Sequence, residues 1–197
     1  MSRFVRQEAP PQFDECRKYL PFLRRDFRYR CAYCERPETF LGGEEFFEID
    51  HFQPVWRFLE QVTHYPNLYY SCGKCNRHKG KTWPSDDQIS SGFRFADPCQ
   101  EDMYVEHFQE MPDGQLQPLN NCGRYTGEHI RLNRRNLLSW RQLRRQMAQD
   151  LQILAHAASR LEAGLAAQLS LTNQNQIREE IETLNAHIAR VSQRFAL

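Results

Sequence analysis

Residues 31–54, CAYCERPETFLGGEEFFEIDHFQP, and residues 71–76, SCGKCN, decide the fold of this chain. Each stretch holds two cysteines separated by two residues. Two such pairs allow four thiolates to meet tetrahedrally around one zinc ion, because each tight turn supplies two ligands. A four-thiolate site has no open coordination position, so we expect this zinc to be structural. The expected ligands are Cys31, Cys34, Cys72 and Cys75.

The composition is that of an ordinary globular protein. The 197 residues are 40% hydrophobic and 26% charged, which suits one domain with its own core, or a compact domain with a helical extension. No run approaches the ~18 apolar residues of a membrane-spanning helix, so no membrane partner is expected. The N-terminus, MSRFVRQEAP, lacks the apolar region of a secretion signal. We therefore expect a cytoplasmic protein whose cysteines are reduced.

The formal net charge of +1 is close to neutral, but the charges are unevenly distributed. Residues 17–30 hold six basic groups and one acid, and residues 124–145 hold seven arginines and one acid. Between these two blocks, residues 38–50 hold five carboxylates and no base. This pattern suits a phosphate-binding rim around a cation-binding centre. The alternative interpretation is that the arginines lie on solvated helix faces.

Turn signals and hydrophobic spacing divide the chain into four segments. Residues 1–30 are an arm followed by a helix over about 14–29, since apolar side chains recur there at helical spacing. Residues 31–84 form a loop-rich core held together by the zinc. Residues 85–127 contain many turn formers, which predict an irregular or hairpin segment packed on that core. Residues 128–197 contain no proline and predict two helices.

The two C-terminal helices are predicted from their apolar periodicity. Apolar residues step by three or four from Leu143 to Leu165, which predicts one amphipathic helix over about 128–169. The stretch LTNQN, residues 171–175, interrupts the pattern, and a second helix with coiled-coil spacing follows. The short connector favours an antiparallel helical hairpin. The hairpin is either a cap on the core or an interface for a homodimer or another partner, and both interpretations stay open.

The seven cysteines of the chain are an odd number, and three of them lie outside the two pairs. We expect these three to be buried as small apolar residues rather than to bind metal. They are Cys16, Cys99 and Cys122.

Residues suited to hydrolysis lie inside the zinc-closed loop and just after it. A predicted strand in EFFEID ends at Asp50 and His51, Asn67 lies further along the loop, and Asn76 follows the fourth cysteine. Asp and Asn oxygens suit a hard cation such as Mg²⁺, whereas a histidine suits proton abstraction from water. Strict strand alternation would point Asp50 and His51 to opposite faces, so both serve one site only if the strand breaks there. Pro54 favours such an ending.

Four motifs occur in order over roughly residues 31–84: CAYC, EIDHFQP, YPNLYYSC and CGKCNRHKG. With these motifs the chain resembles the HNH endonuclease, or ββα-metal, family in its zinc-stapled form. The resemblance implies a small ββα-metal, treble-clef-like core that binds zinc. Together with the flanking helices and the C-terminal helical hairpin, the expected fold class is α+β.

The resemblance implies a metal-dependent endonuclease that hydrolyses phosphodiester bonds of DNA. His51 would be the general base that deprotonates the attacking water, and Asn67 would hold the loop that bears this base. Asp50 and Asn76 would bind one catalytic divalent cation, Mg²⁺ or Mn²⁺, on the scissile phosphate. Many members of the family have histidine at the last position, and His78 is a rival ligand here. The products would carry 5′ phosphate and 3′ hydroxyl ends.

Basic side chains near the helix start and in the second basic block are candidates for binding DNA phosphates. They are Arg77, Lys79, Arg134, Arg135, Arg141, Arg144 and Arg145. The alternative for Arg77 and Lys79 is a solvated side chain with no phosphate contact.

A less specific similarity concerns residues 127–142, GEHIRLNRRNLLSWRQ, which follow an ADP turn. This stretch resembles small HNH proteins encoded beside an ATPase in antiphage systems of the Septu and retron types. That similarity implies a role in antiviral defence, with the C-terminal helices docking on an ATPase partner. Two alternatives to a DNA nuclease stay open: a non-catalytic zinc module that binds nucleic acid or protein, and an HNH nuclease directed at RNA.

Overall fold

Two antiparallel strands followed directly by a helix form the ββα element of the first part of the chain. The computed structural model describes residues 4–6, 10–165 and 171–195, and the chain divides into two units, Met1–Leu138 and Ser139–Leu197. In the first unit, strand β1 (Phe47–His51) pairs with strand β2 (Leu68–Cys72). Helix α2 (Gly73–Lys79) begins at the residue after β2. This ββα arrangement confirms the expected α+β class and its metal-binding core.

The register of the two strands places the candidate residues beside the second cysteine pair. Phe47 lies opposite Cys72, and His51 lies opposite Leu68, at the far end of the ladder. The predicted strand is confirmed, and it ends at His51 as expected. Asp50 and His51 are therefore the last two residues of the strand, where the chain leaves the regular ladder.

The region before the first cysteine pair is helical, as predicted, but shorter. A 3₁₀ turn spans Cys16–Tyr19, and helix α1 spans Leu20–Asp26. Pro21 lies in the first turn of α1, where a missing backbone N–H costs nothing because the first N–H groups of a helix have no partner there. Leu23 and the adjoining Phe27 are fully buried in the core of this unit.

The segment after the core is more regular than its turn-rich sequence predicts. Helices α3 (Asp86–Ser90) and α4 (Met103–His107) are followed by the β-hairpin of β3 (Phe108–Glu110) and β4 (Leu116–Pro118). A hairpin was one of the two alternatives predicted for this segment. Helix α5 (Asn121–Ile130) was not, because NNCGR has the composition of a turn. Asn120 directly precedes α5 and caps it, because its side chain accepts a hydrogen bond from the Gly123 N–H.

The prediction of one helix from about residue 128 is wrong at its start. Helix α5 ends at Ile130, and helix α6 (Arg135–Leu165) begins after a four-residue connector. Arg131 ends α5 in the left-handed conformation, with φ 55° and ψ 54°. Glycine is the usual residue at such a helix end, so an arginine there gives no sequence signal. The predicted residues 166–169 lie outside the described part of the chain.

Helix α6 continues into the second unit, which also contains helix α7 (Leu171–Phe195). The predicted interruption at residues 171–175 is wrong, because these residues belong to α7. Ala158 and Ile181 are buried. The antiparallel hairpin stays a prediction, since its connector lies outside the described residues. Over the described ranges, no helix combines the length and apolar character that crossing a membrane requires.

Candidate active site

The four paired cysteines cluster as a zinc site. All four side chains are buried, and their sulfur atoms lie within 4.8 Å of one another. The first pair follows Arg30, and the second pair spans the junction of β2 and α2. The Sγ atoms of Cys34 and Cys72 are 3.9 Å apart. Four converging thiols at this spacing match the tetrahedral four-sulfur site that zinc prefers.

The thiol environment also fits a divalent cation. Burial raises the pKa of Cys31 and of Cys75 well above the usual thiol value. Hydrogen bonds from the neighbouring thiols instead lower the pKa of Cys72. Four thiolates cannot coexist in this buried volume without a compensating charge, which zinc supplies when it binds.

Arg134 contacts this zinc site and is not available to DNA through the same atoms. Its Nη2 donates to Cys75 Sγ at 3.1 Å, and its Nη1 donates to the carbonyl oxygens of Ile130 and Arg131. The expectation that Arg134 binds phosphate is therefore wrong in this structure. A zinc ion with four thiolate ligands would carry a net negative charge. The Arg134 guanidinium would partly offset that charge, which explains why it lies against Cys75.

His51 has one ring nitrogen fixed by the protein. Its Nε2 lies 2.9 Å from the carbonyl oxygen of Val62. A carbonyl only accepts, so Nε2 carries the hydrogen and Nδ1 carries the lone pair. Cys16 Sγ also donates to the Val62 oxygen at 2.8 Å and lies 3.6 Å from Nε2. Among the described residues, Nδ1 has no hydrogen-bond partner, so it is the atom with the capacity to take a proton.

Asn67 closes the loop that carries Val62. Its Oδ1 accepts from the Gln53 N–H at 2.7 Å, and its Nδ2 donates to the carbonyl oxygens of Gln53 and Gln61 at 3.0 and 3.3 Å. The side chain is buried, with 5% exposure. The Asn67 side chain thus joins Gln53 and Gln61, the two ends of the segment that connects β1 to Val62. The Val62 carbonyl oxygen in turn contacts His51.

Asp50 is held in place by two buried partners. Its Oδ2 accepts a short hydrogen bond from the Tyr33 hydroxyl, and its Oδ1 accepts from Lys79 Nζ at 3.0 Å. Lys79 Nζ also donates to the carbonyl oxygen of His51 at 2.6 Å. Burial raises the pKa of Asp50 and lowers that of Lys79, and their ion pair opposes both shifts. Lys79 therefore links strand β1 to helix α2 next to the candidate base.

The expectation that Lys79 grips a DNA phosphate is wrong, because its side chain is fully buried. The expected position near the helix start is also wrong, because Lys79 is the last residue of α2. Only the packing of α2 on β1 shows which way its side chain points.

Replacing Lys79 with methionine is expected to lower the free energy of unfolding by about 3–5 kcal/mol, because a buried carboxylate is left without its counter-ion. Chemical denaturation followed by circular dichroism measures the change. Lys81→Met is the matched control, since Lys81 is exposed and should shift stability by under about 0.5 kcal/mol. Adding Asp50→Asn to Lys79→Met should recover part of the loss. An unfolding free energy equal to wild type in Lys79→Met would contradict the ion pair.

Asn76 is oriented by an acidic residue that sequence reasoning missed. Its Nδ2 donates to Glu48 Oε2 at 2.6 Å, which leaves Oδ1 without a hydrogen-bond partner among the described residues. Glu48 lies two residues before Asp50 on β1. The period-two alternation of a strand puts these two acids on one face, and that was the available signal.

One cleft of about 550 Å³ brings the candidate residues together. Four of the predicted site residues line it: Asp50, His51, Asn76 and Arg77. His78, the rival ligand, is half-buried and is not among the described residues that line this cleft. Burial, with help from nearby arginines and a lysine, lowers the pKa of His78. Carboxylate and amide oxygens fit a hard divalent cation, and the cleft opens to solvent beside Arg77 and Lys81.

The predicted arginines separate into exposed and buried side chains. Arg77 is 68% exposed and lines the cleft, and Arg135 is exposed at the start of α6. Arg141 is 2% exposed, so the expectation that it binds phosphate is wrong. Arg144 and Arg145 are partly exposed, and their contact with DNA stays a prediction.

Comparison with known proteins agrees with the geometry of this site. Residues 31–82 match the family model of the HNH endonucleases, over about a quarter of the chain. This part of the chain, with its ββα core and its cluster of four cysteines, is similar to the HNH endonuclease domains. No curated protein and no solved structure matches the chain.

Proposed function

We propose that the chain is a metal-dependent endonuclease that hydrolyses phosphodiester bonds of DNA. The observation that carries the proposal is that Asp50, His51 and Asn76 line one cleft, within the segment that matches the HNH family model. A zinc with four thiolate ligands has no position for substrate. The chemistry is therefore assigned to the oxygen and nitrogen atoms of the cleft.

His51 acts as the general base in this proposal. Because Val62 accepts from Nε2, the attacking water gives its proton to Nδ1. The imidazolium that results keeps its Nε2–H bond to the carbonyl, so the ring does not have to turn during the transfer. Asn67 is a positioning residue, since it acts only through the loop that places this carbonyl.

Asp50 and Asn76 are the residues that would hold a divalent cation, Mg²⁺ or Mn²⁺. When bound, the cation neutralises charge that develops on the phosphate and on the leaving 3′ oxygen. Each Asp50 oxygen keeps a lone pair beyond its bond to Tyr33 or Lys79. Asn76 contributes Oδ1, because Glu48 occupies its Nδ2. These fixed partners would hold both ligands in place before substrate arrives.

The rim of the cleft supports a nucleic-acid substrate. Trp56 lines it with 61% exposure, and an exposed indole offers a face on which a base stacks. Arg77 and Lys81 add positive charge at the same rim. A binding module without chemistry would use this rim equally well. It would have no use for a base with a fixed tautomer beside two oxygen ligands.

Supercoiled plasmid incubated with the purified full-length protein tests the proposal. We expect nicked or linear DNA with Mg²⁺ or Mn²⁺ and intact plasmid without added cation, because Asp50 and Asn76 need the cation to engage the phosphate. A parallel reaction with single-stranded RNA separates the DNA enzyme from an RNA-directed one. Binding to DNA with no cleavage under any of these cations would favour the non-catalytic zinc module.

We also propose a role in antiviral defence with an ATPase partner that docks on the C-terminal helices. Support comes from apolar side chains exposed along α6: Ile153, Leu154 and Leu161. Co-expression with an ATPase encoded beside the gene should yield a complex, and failure to co-purify would count against it. A homodimer through these helices is the other proposal. Light scattering that gives the mass of one chain would contradict it.

A further inference from the structure

Three side chains of metal-binding types meet outside the cleft and outside the four-cysteine site. Glu101 precedes α4, His107 ends it, and Cys122 lies in the first turn of α5. A carboxylate oxygen, a ring nitrogen and a sulfur atom of these residues lie within 4.8 Å of one another. Cys122 is buried, as expected from the sequence, but it is buried against polar groups and not only in an apolar core.

The hydrogen bonds of Asn120 fix the tautomer of His107. The Asn120 Oδ1 accepts from the Gly123 N–H at 2.9 Å, and its Nδ2 donates to the Glu106 carbonyl oxygen at 3.1 Å. The amide orientation is therefore settled, and the same Oδ1 lies 3.1 Å from His107 Nδ1. Nδ1 must carry the hydrogen, so Nε2 of the neutral ring carries the lone pair. A ligating histidine usually makes this second bond.

The Nε2 atom is buried and has no hydrogen-bond partner among the described residues. His107 is 6% exposed, and its Nε2 lies 3.0 Å from Glu101 Oε2 without the geometry of a hydrogen bond. In the neutral ring, two acceptors thus face each other at close range. A cation bound by both atoms would remove this repulsion, and the Cys122 sulfur is near enough to share it.

Glu101 is oriented by partners that leave it able to bind a metal. Arg94 donates to Oε1 at 2.6 Å and to Oε2 at 2.8 Å, and the Asp97 N–H donates to Oε1 at 2.6 Å. Carboxylates that bind metals are commonly held by such bonds. Oε2, which faces His107, has one bond fewer and keeps a lone pair.

The backbone brings these elements together because Gly123 has no side chain. A Cβ atom at this position would lie 2.2 Å from the carbonyl oxygen of His107. Any other residue would push the start of α5 away from the end of α4. The neighbouring Cys122 is thus held close to His107 by a packing constraint that is independent of the side-chain bonds.

We propose that Glu101, His107 and Cys122 form a second zinc site, separate from the four-cysteine site and from the cleft. One sulfur, one nitrogen and one oxygen ligand suit zinc better than Mg²⁺ or Ca²⁺, which take oxygen ligands. Three protein ligands leave a fourth position for water. The ion would tie the loop before α4 to the start of α5.

Metal content of the purified full-length protein tests this site without reference to nuclease activity. Protein produced with zinc and dialysed against metal-free buffer should contain about two zinc ions per chain, one for each cluster. Cys122→Ser and His107→Gln should each contain about one fewer zinc ion, since each removes a ligand of the second site only. Cys99→Ser is the matched control and should contain as much zinc as wild type. Circular dichroism establishes that each variant is folded.

Cobalt substitution gives a second measurement that needs no variant. In wild type, Co²⁺ beyond the first equivalent should add a sulfur-to-metal absorption band weaker than that of the four-cysteine site, because one thiolate binds instead of four. Wild-type protein with about one zinc per chain and no second band would overturn the proposal. Glu101 and His107 would then form an ion pair with Arg94 nearby. Equal zinc content in folded Cys122→Ser and wild type would overturn it as well.

Discussion

His51→Ala is expected to lower the rate of DNA cleavage by about 10²- to 10⁴-fold, the usual contribution of a general base. The reason is specific to one atom: Nδ1 holds the free lone pair, because Nε2 is bonded to the Val62 carbonyl. The side chain is only half-buried, so its removal should leave the fold and the zinc site in place. The measurement is the initial rate of plasmid cleavage in Mg²⁺, with zinc content and circular dichroism determined on the same preparation.

The control for this variant is His64→Ala. His64 is an exposed histidine in the loop between β1 and β2. It lies outside the residues that line the cleft, so its replacement removes a histidine without changing the cleft. Its cleavage rate should equal that of wild type. If His51→Ala keeps its zinc and its spectrum and still cuts at the wild-type rate, the assignment of the base is wrong.

Cys72→Ser is expected to abolish cooperative folding of the first unit. Structural zinc contributes on the order of 10 kcal/mol of apparent binding free energy in small zinc modules. That is comparable with the whole stability of a domain, about 5–15 kcal/mol. Cys72 also joins strand β2 to helix α2, so losing the ion separates the elements that carry His51 and Asn76. Thermal denaturation by circular dichroism should show no cooperative transition for this unit, and one zinc ion per chain should be lost.

Cys99→Ser controls for the loss of a thiol as such. Cys99 is half-buried and belongs to neither cysteine-containing metal cluster among the described residues. Its melting temperature should stay within a few degrees of the wild-type value, since a change of about 1 kcal/mol shifts the midpoint by that much. A Cys72→Ser protein that melts like this control, with its zinc retained, would show that the four cysteines do not hold the fold together.

Local sequence patterns predicted the core because metal ligands constrain the chain at short range. Two C-x-x-C pairs predicted a four-thiolate cluster, and the structure has one. The strand that ends at Asp50 and His51 was also predictable, as was a helix at the second pair, although α2 already begins at Gly73. The predictions that failed concern helix ends. Arg131 ends α5 in a conformation that usually favours glycine, and NNCGR begins a helix because Asn120 caps it.

By itself, the sequence predicted the four clustered cysteines, because their spacing constrains the chain locally. Together with the resemblance to HNH endonucleases it also predicted Asp50, His51 and Asn76, which line one cleft. The tertiary structure alone decided which basic residues face solvent. Lys79 and Arg134 read as phosphate ligands, yet Lys79 neutralises Asp50 in the interior and Arg134 bonds a zinc-site sulfur. The direction of a long side chain depends on which element packs against it, and spacing along the chain does not contain that information. The same holds for Glu101, His107 and Cys122, which meet only when α5 packs against the end of α4.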